Sequence, residues 1–72
     1  MNKVSLEMAL GALGFADGDI DTAFNMVEKA VHDTRDGEDR RADLRCKFAV
    51  RRLKSSLNQI NAAISLLENG RF

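Results

Sequence analysis

A repeat of apolar residues across positions 46–67 constrains the fold more than any other feature of this sequence. Apolar side chains recur there at alternating spacings of four and three residues, over three heptads. A period of 3.5 residues places such side chains along one side of an α-helix, where they form a seam that another helix can cover. The main seam consists of Cys46, Val50, Leu53, Leu57, Ile60, Ile64 and Leu67.

A second, shorter seam lies in the first half of the chain. Ile20, Phe24, Val27 and Val31 repeat the same alternating spacing and predict a helix over about residues 19–33. Small residues accompany both seams: Ala23 and Ala30 flank the first, and Ala49 and Ala63 lie beside the second, where they would let another helix approach closely. Two larger residues, Leu44 and Phe48, are expected to widen the main seam.

The segment before this helix favours a break in the first arm. Ser5 can cap a short helix over about residues 5–13, and Gly14 suits the position just after a helix end. A single bent helix over about residues 5–33 is the alternative, because the apolar register continues through this segment. It would place Asp17 on the seam, where burying a carboxylate is costly, and it would include Gly14 and Gly18, each lowering helix propensity by about 1 kcal/mol. We therefore predict a break at 14–18.

The second half is predicted to be one long helix. Thr34, Arg35, Asp36 and Gly37 have the composition of a turn, and the helix after them is expected to cover about residues 37–69. It would end at Asn69 and Gly70, leaving 70–72 as a short C-terminal tail. The prediction is an all-α protein of one domain, 1–72, folded as an antiparallel helical hairpin with a broken first arm.

The small size of the chain predicts that two hairpins associate. A chain of 72 residues with one cysteine has a marginal core and cannot form an internal disulfide. Two helices also cannot surround their own seams. We expect a homodimer in which the seam residues build a core resembling a four-helix bundle.

Charge is distributed unevenly although the formal net charge is zero. Residues 1–39 carry −6 and residues 40–72 carry +6. The basic run at the start of the long helix could bind an acidic protein, a nucleic-acid backbone, or only the acidic first arm. The candidate partner-binding residues in this run are Arg40, Arg41, Arg45, Arg51, Arg52 and Lys54.

The residue types that carry catalysis or bind metals do not form a recognisable motif. His32 and Cys46 have no partners at metal-ligand spacing, and the acids at 17, 19 and 21 do not continue into a calcium loop. Cys46 is expected to act as a small apolar residue of the seam. We therefore predict no catalytic residues, no metal and no cofactor.

These features favour a small non-enzymatic regulator that acts by stoichiometric protein–protein binding. An inhibitor of a larger host protein, of the kind that phages and mobile elements encode, fits such a chain. One alternative is binding of RNA or DNA through the Arg-rich start of the long helix; the expected architecture resembles that of plasmid-encoded RNA-binding helical hairpins. A second alternative is a structural coiled-coil subunit of a larger assembly. The lack of disulfides and of a long apolar run predicts a cytoplasmic protein without membrane contact.

Overall fold

The fold is an antiparallel hairpin of two long α-helices. The computed structural model describes residues 3–69, with α1 spanning Lys3–Arg35 and α2 spanning Asp39–Asn69. The hairpin extends for 56 Å, and the described residues contain no strand. The predicted all-α hairpin is confirmed. The predicted C-terminal tail, 70–72, lies outside the described residues.

The predicted break in the first arm is wrong, because α1 continues through residues 14–18 without interruption. The expected cost of burying Asp17 does not arise, since its side chain is exposed. Gly14 and Gly18 also lie on outer sides of the helix, away from α2. The prediction assumed that the apolar seam of α1 faces α2, whereas a different side of the helix does.

The hairpin is held together by a ladder of small residues. Every seventh residue of each helix is buried against the other helix, and seven of these eight residues are alanines. Alanine side chains allow the two helix backbones to approach closely and cost little side-chain entropy. The ladder consists of Ala9, Ala16, Ala23 and Ala30 on α1, and Ala42, Ala49, Ser56 and Ala63 on α2.

The register between the helices follows from the polar member of this ladder. The Ser56 hydroxyl donates a hydrogen bond of 3.3 Å to the carbonyl oxygen of Ala16, so these residues lie at the same height. Continuing the antiparallel register brings Ala23 opposite Ala49. Because the Ser56 hydroxyl is satisfied in this way, a polar residue is tolerated among the alanines.

The connection between the helices lies at residues 36–38, so the predicted turn at 34–37 is right in its location, but its first two residues, Thr34 and Arg35, belong to α1. Gly37 has a φ of 77°, in the left-handed region where glycine is favoured. The amide of Glu38 donates a hydrogen bond of 2.7 Å to the carbonyl oxygen of Asp33, and the amide of Asp36 bonds the carbonyl oxygen of His32. These bonds satisfy backbone groups at the end of α1.

Alanine substitutions at glycine should have opposite effects in the helix and in the turn. A Cβ added at Gly14 or Gly18 would have no atom within 4 Å. Either substitution should therefore raise the free energy of unfolding by about 0.5–1 kcal/mol, because alanine restricts the unfolded chain and favours helix. Gly37→Ala should instead lower it by about 1–2 kcal/mol, the cost of a left-handed conformation. Urea unfolding at one protein concentration measures all three; destabilisation by Gly18→Ala would contradict a continuous α1.

Candidate interaction surfaces

One long side of the hairpin is covered with exposed apolar side chains, and we call it the apolar face. Its members follow the predicted seams on both helices, and the seam on α1 extends further toward its N-terminus. On α1 the apolar face consists of Leu6, Leu10, Leu13, Ile20, Phe24, Val27 and Val31, and on α2 of Cys46, Val50, Leu53, Leu57, Ile60, Ile64 and Leu67.

The exposure of this face is high for side chains of this type. Leu10 is 72% exposed, Phe24 62% and Leu57 56%. Two hollows run between the helices along it. One, of about 360 Å³, lies between Val27 and Cys46, and the other, of about 260 Å³, lies between Phe24 and Leu53. Because both hollows contain residues of both seams, the two seams lie on the same side of the hairpin and form one continuous surface.

The predicted seam residues therefore stay together, but outside the contact between α1 and α2. The alanine ladder occupies that contact, and the seam residues stand about a quarter-turn away from it around each helix. Leu44 and Phe48, which were expected to widen the main seam, lie outside the apolar face: Leu44 is on the side of α2 that faces away from α1, and Phe48 is on the opposite side of the hairpin. Phe48 lies 14 residues, four helical turns, before Ala62 and so shares its side of α2.

That opposite side carries another apolar groove. It has a volume of about 330 Å³ and is lined by Met8, Phe15, Ala62 and Leu66, among others. Phe15 is 73% exposed. The groove lies toward the open end of the hairpin, away from the turn.

The basic run is divided by the structure into two groups. Three of its arginines bind carboxylates of α1. Arg45 donates a hydrogen bond of 2.5 Å to the buried carboxylate of Asp33, Arg41 lies 4.0 Å from the same carboxylate, and Arg52 contacts Asp19 at 3.3 Å. These contacts support the part of the prediction in which the basic run binds the acidic first arm.

The remaining cations point outward. Lys47 pairs with Asp43 within α2 at 3.2 Å, and both side chains are exposed. Arg40, Arg51 and Lys54 are exposed and have no ion pair with any residue in the range 3–69. Arg40, Arg51 and Lys54 are therefore the predicted partner-binding residues that are free to contact another molecule.

Asp19 is adapted to its position between the helices. A hydrogen bond from the Ser55 side chain lowers the pKa of the Asp19 carboxyl below its ordinary value and outweighs the opposing effect of burial. The hydrogen bond and positive charge of Arg52 lower this pKa further. The carboxylate therefore stays ionised, which favours its contact with α2.

Sequence reasoning found only part of the set of residues that joins the helices. It noted Ala49 and Ala63 as points of close approach and Ala23 and Ala30 as neighbours of the first seam, and all four are buried. It did not find Ser56 or the buried carboxylate of Asp33. The signal that could have found the ladder is the spacing of seven between Ala9, Ala16, Ala23 and Ala30, which is independent of the larger apolar side chains.

The described part of the chain contains neither a cluster of metal ligands nor a membrane span. Residues 3–69 contain no group of three or more His, Cys, Asp or Glu residues that could hold a metal ion. Neither α1 nor α2 is long and apolar enough in any stretch to cross a membrane. Comparisons with protein-family models, with curated proteins and with solved structures found no match.

Proposed function

We propose that this chain is a non-enzymatic protein-interaction module, and that two copies pair through their apolar faces into a four-helix bundle. The observation that carries the proposal is the apolar face itself. It has fourteen members, and among the described residues none of the large ones is buried. A surface of this size and composition is typical of an interface between subunits rather than of a monomer in water.

The dimensions of the face support a pair of hairpins. The envelope of Cα atoms is 56 Å long and 13 Å wide, which corresponds to about 700 Å² before side chains are included. Stable specific interfaces bury about 800 Å² on each partner. A second hairpin has the same length and the same apolar composition, so it would cover the whole face and leave no apolar end exposed.

The matched pair of phenylalanines on α1 tests this proposal. Phe24 lies on the apolar face and is 62% exposed, and Phe15 lies on the opposite side and is 73% exposed. Phe24→Lys should raise the dimer Kd at least about 100-fold, because it buries a charge at the interface. Phe15→Lys should change the Kd less than about threefold. Sedimentation equilibrium over a range of concentrations measures both.

Two outcomes of this experiment are informative beyond the Kd. If the hairpin depends on pairing, Phe24→Lys will make helicity, measured by circular dichroism, depend on protein concentration, which also supports the proposal. Wild-type protein that stays monomeric at millimolar concentration while unfolding cooperatively would overturn it.

The dimer would act by stoichiometric binding to a larger protein, as a small regulator. After pairing, each copy still presents the groove around Met8, Phe15 and Leu66, together with Phe48. Large apolar and Met side chains of this kind form adaptable contacts with protein partners. Affinity capture from a host lysate with wild-type protein and with Phe15→Ser checks this. A partner that the wild-type protein captures at a fixed molar ratio, and that Phe15→Ser does not capture, supports regulation through the groove. Recovery of the same amount of that partner by both proteins contradicts it.

Binding of nucleic acid is supported less well. Arg41, Arg45 and Arg52 already contact carboxylates of α1, which removes three cations from the predicted basic surface. Binding to a phosphate backbone strengthens as salt is lowered. A gel shift with RNA and DNA at low salt would reveal such binding, and no shift would exclude it as the function.

A further inference from the structure

We infer that the two hairpins pair with their turns at the same end, so that each α1 lies against α2 of the second copy. This inference rests on the proposed pairing through the apolar faces and adds the orientation. Two symmetric arrangements are possible, because the two-fold axis can run along the hairpin or across it. In the same-end arrangement every neighbouring pair of helices is α1 with α2. In the opposite-end arrangement α1 lies against α1 and α2 against α2.

Charged residues along the outer edges of the apolar face distinguish the two arrangements. Each edge residue is exposed and lies two positions before a member of the alanine ladder, which places it about 160° around the helix from the ladder. On α1 the edge carries three acids, with Arg35 at its C-terminal end, and on α2 it carries three bases, with Glu68 at its C-terminal end. The acidic edge consists of Glu7, Asp21 and Glu28, and the basic edge of Arg40, Lys47 and Lys54.

The heights of these residues follow from the contacts within one hairpin. Ser56 bonds Ala16, and Arg52 contacts Asp19, so each residue of α1 has a known counterpart on α2. A two-fold axis along the hairpin leaves every residue at its own height. The same counterparts therefore describe how α1 of one copy meets α2 of the other.

In the same-end arrangement the edges are complementary. Glu28 lies at the height of Leu44 of the second copy, between Arg40 and Lys47 of that copy. Asp21 lies at the height of Arg51, between the second copy's Lys47 and Lys54. Opposite charges along facing edges of this kind select the orientation of a pair. Glu7 lies at the height of Ser65, beside Glu68, and is the one acid of its edge without a facing cation.

Asp17 supports the same orientation independently. It occupies the position between Leu13 and Ile20 in the α1 seam, so it interrupts the apolar face with an ionisable side chain, and that side chain is exposed in the hairpin. In the same-end arrangement it lies at the height of Ser55 of the second copy, one residue from Lys54. A carboxylate at an apolar interface needs such a partner.

In the opposite-end arrangement the same residues repel one another. With the axis at the middle of the face, Asp17 and Asp21 of one copy meet Asp21 and Asp17 of the other, and the two Lys54 side chains meet across the axis. Like charges placed opposite one another disfavour a pair. The charge pattern therefore selects one of two arrangements that would bury the same apolar surface.

A distance measurement between the turns tests the orientation. The variant Asp36→Cys, on a Cys46→Ser background, carries one nitroxide label in the exposed turn of each copy. The same-end arrangement predicts a distance below about 30 Å, comparable with the width of a four-helix bundle. The opposite-end arrangement predicts about 45 Å or more, the length of α2 at 1.5 Å per residue. Pulsed electron paramagnetic resonance covers both distances.

The outcomes separate this inference from the proposed function. A short distance supports both. A long distance in a protein that sediments as a dimer overturns the orientation alone and leaves the pairing intact. Absence of dipolar coupling together with monomeric sedimentation overturns both.

Exchange of charges provides a second test that does not use a label. In the same-end arrangement Glu28→Lys and Lys47→Glu should each raise the dimer Kd about tenfold, since each change occurs twice in the dimer. The double variant Glu28→Lys/Lys47→Glu should recover most of the affinity. Lys29→Glu, on the opposite side of α1, is the control and should leave the Kd within about threefold. Tighter pairing of Glu28→Lys alone is expected only if α1 lies against α1, and would overturn the inference.

Discussion

Replacing Ala23 by leucine should lower the free energy of unfolding by about 3 kcal/mol, which is a large fraction of the stability of a chain of this size. Ala23 is 2% exposed and lies in the ladder opposite Ala49. Three additional carbon atoms cannot fit between two backbones that approach at alanine distance, so the helices must separate. Separation would also weaken the neighbouring contacts of Ala16 and Ala30, because the ladder is continuous.

The control for this prediction is an alanine outside the ladder. Ala62 is exposed on the rim of the groove near Phe15. Ala62→Leu should change the free energy of unfolding by less than about 0.5 kcal/mol. Urea unfolding of both variants at the same protein concentration makes the comparison. Equal stability of Ala23→Leu and wild type would show that the ladder is not the contact between α1 and α2.

Replacing Asp33 by alanine should lower the free energy of unfolding by about 3 kcal/mol, since it breaks a largely buried ion pair at the closed end of the hairpin. Its side chain is 10% exposed and accepts a hydrogen bond from Arg45, whose side chain is 28% exposed. Without the carboxylate, the Arg45 guanidinium keeps its partial burial but loses its counter-charge. Asp33 also lies near the C-terminus of α1, where a carboxylate is disfavoured by the helix dipole and needs these arginines.

Two variants show whether the charge of Asp33 is responsible. Asp33→Asn keeps the size of the side chain and should lose most of the same free energy. Arg41→Ala removes only the more exposed partner, 4.0 Å away, and should cost less than about 1 kcal/mol. Thermal unfolding followed by circular dichroism ranks the three. A loss from Asp33→Asn as small as that from Arg41→Ala would contradict a structural role for this carboxylate.

The alanine ladder joins α1 and α2 within the hairpin, and the apolar face, through which we propose that two copies pair, lies outside this contact. Substitutions in the face, such as Phe24→Lys, should therefore act on association, whereas substitutions in the ladder, such as Ala23→Leu, should act on the hairpin.

Much of the architecture could be read from the sequence. The 3.5-residue period, the absence of alternating patterns and the turn residues before Gly37 predicted two helical arms and the place where they join. The same period correctly grouped Phe24 and Val27 on one side of the first arm and Leu53 and Leu57 on one side of the second. These results depend on local geometry, because residues three and four apart in a helix always share a side.

The side of each helix that meets the other was decided only by tertiary structure. Two stripes repeat every seven residues in this chain, one of alanines and one of large apolar residues, and the helical period is satisfied equally by both. The predicted break followed from choosing the larger residues as the contact, which would have buried Asp17. Packing through alanines lets the backbones of α1 and α2 approach more closely, buries the Asp33–Arg45 pair and allows α1 to be continuous. These properties depend on both helices together, so the residue pattern of one helix alone could not predict them.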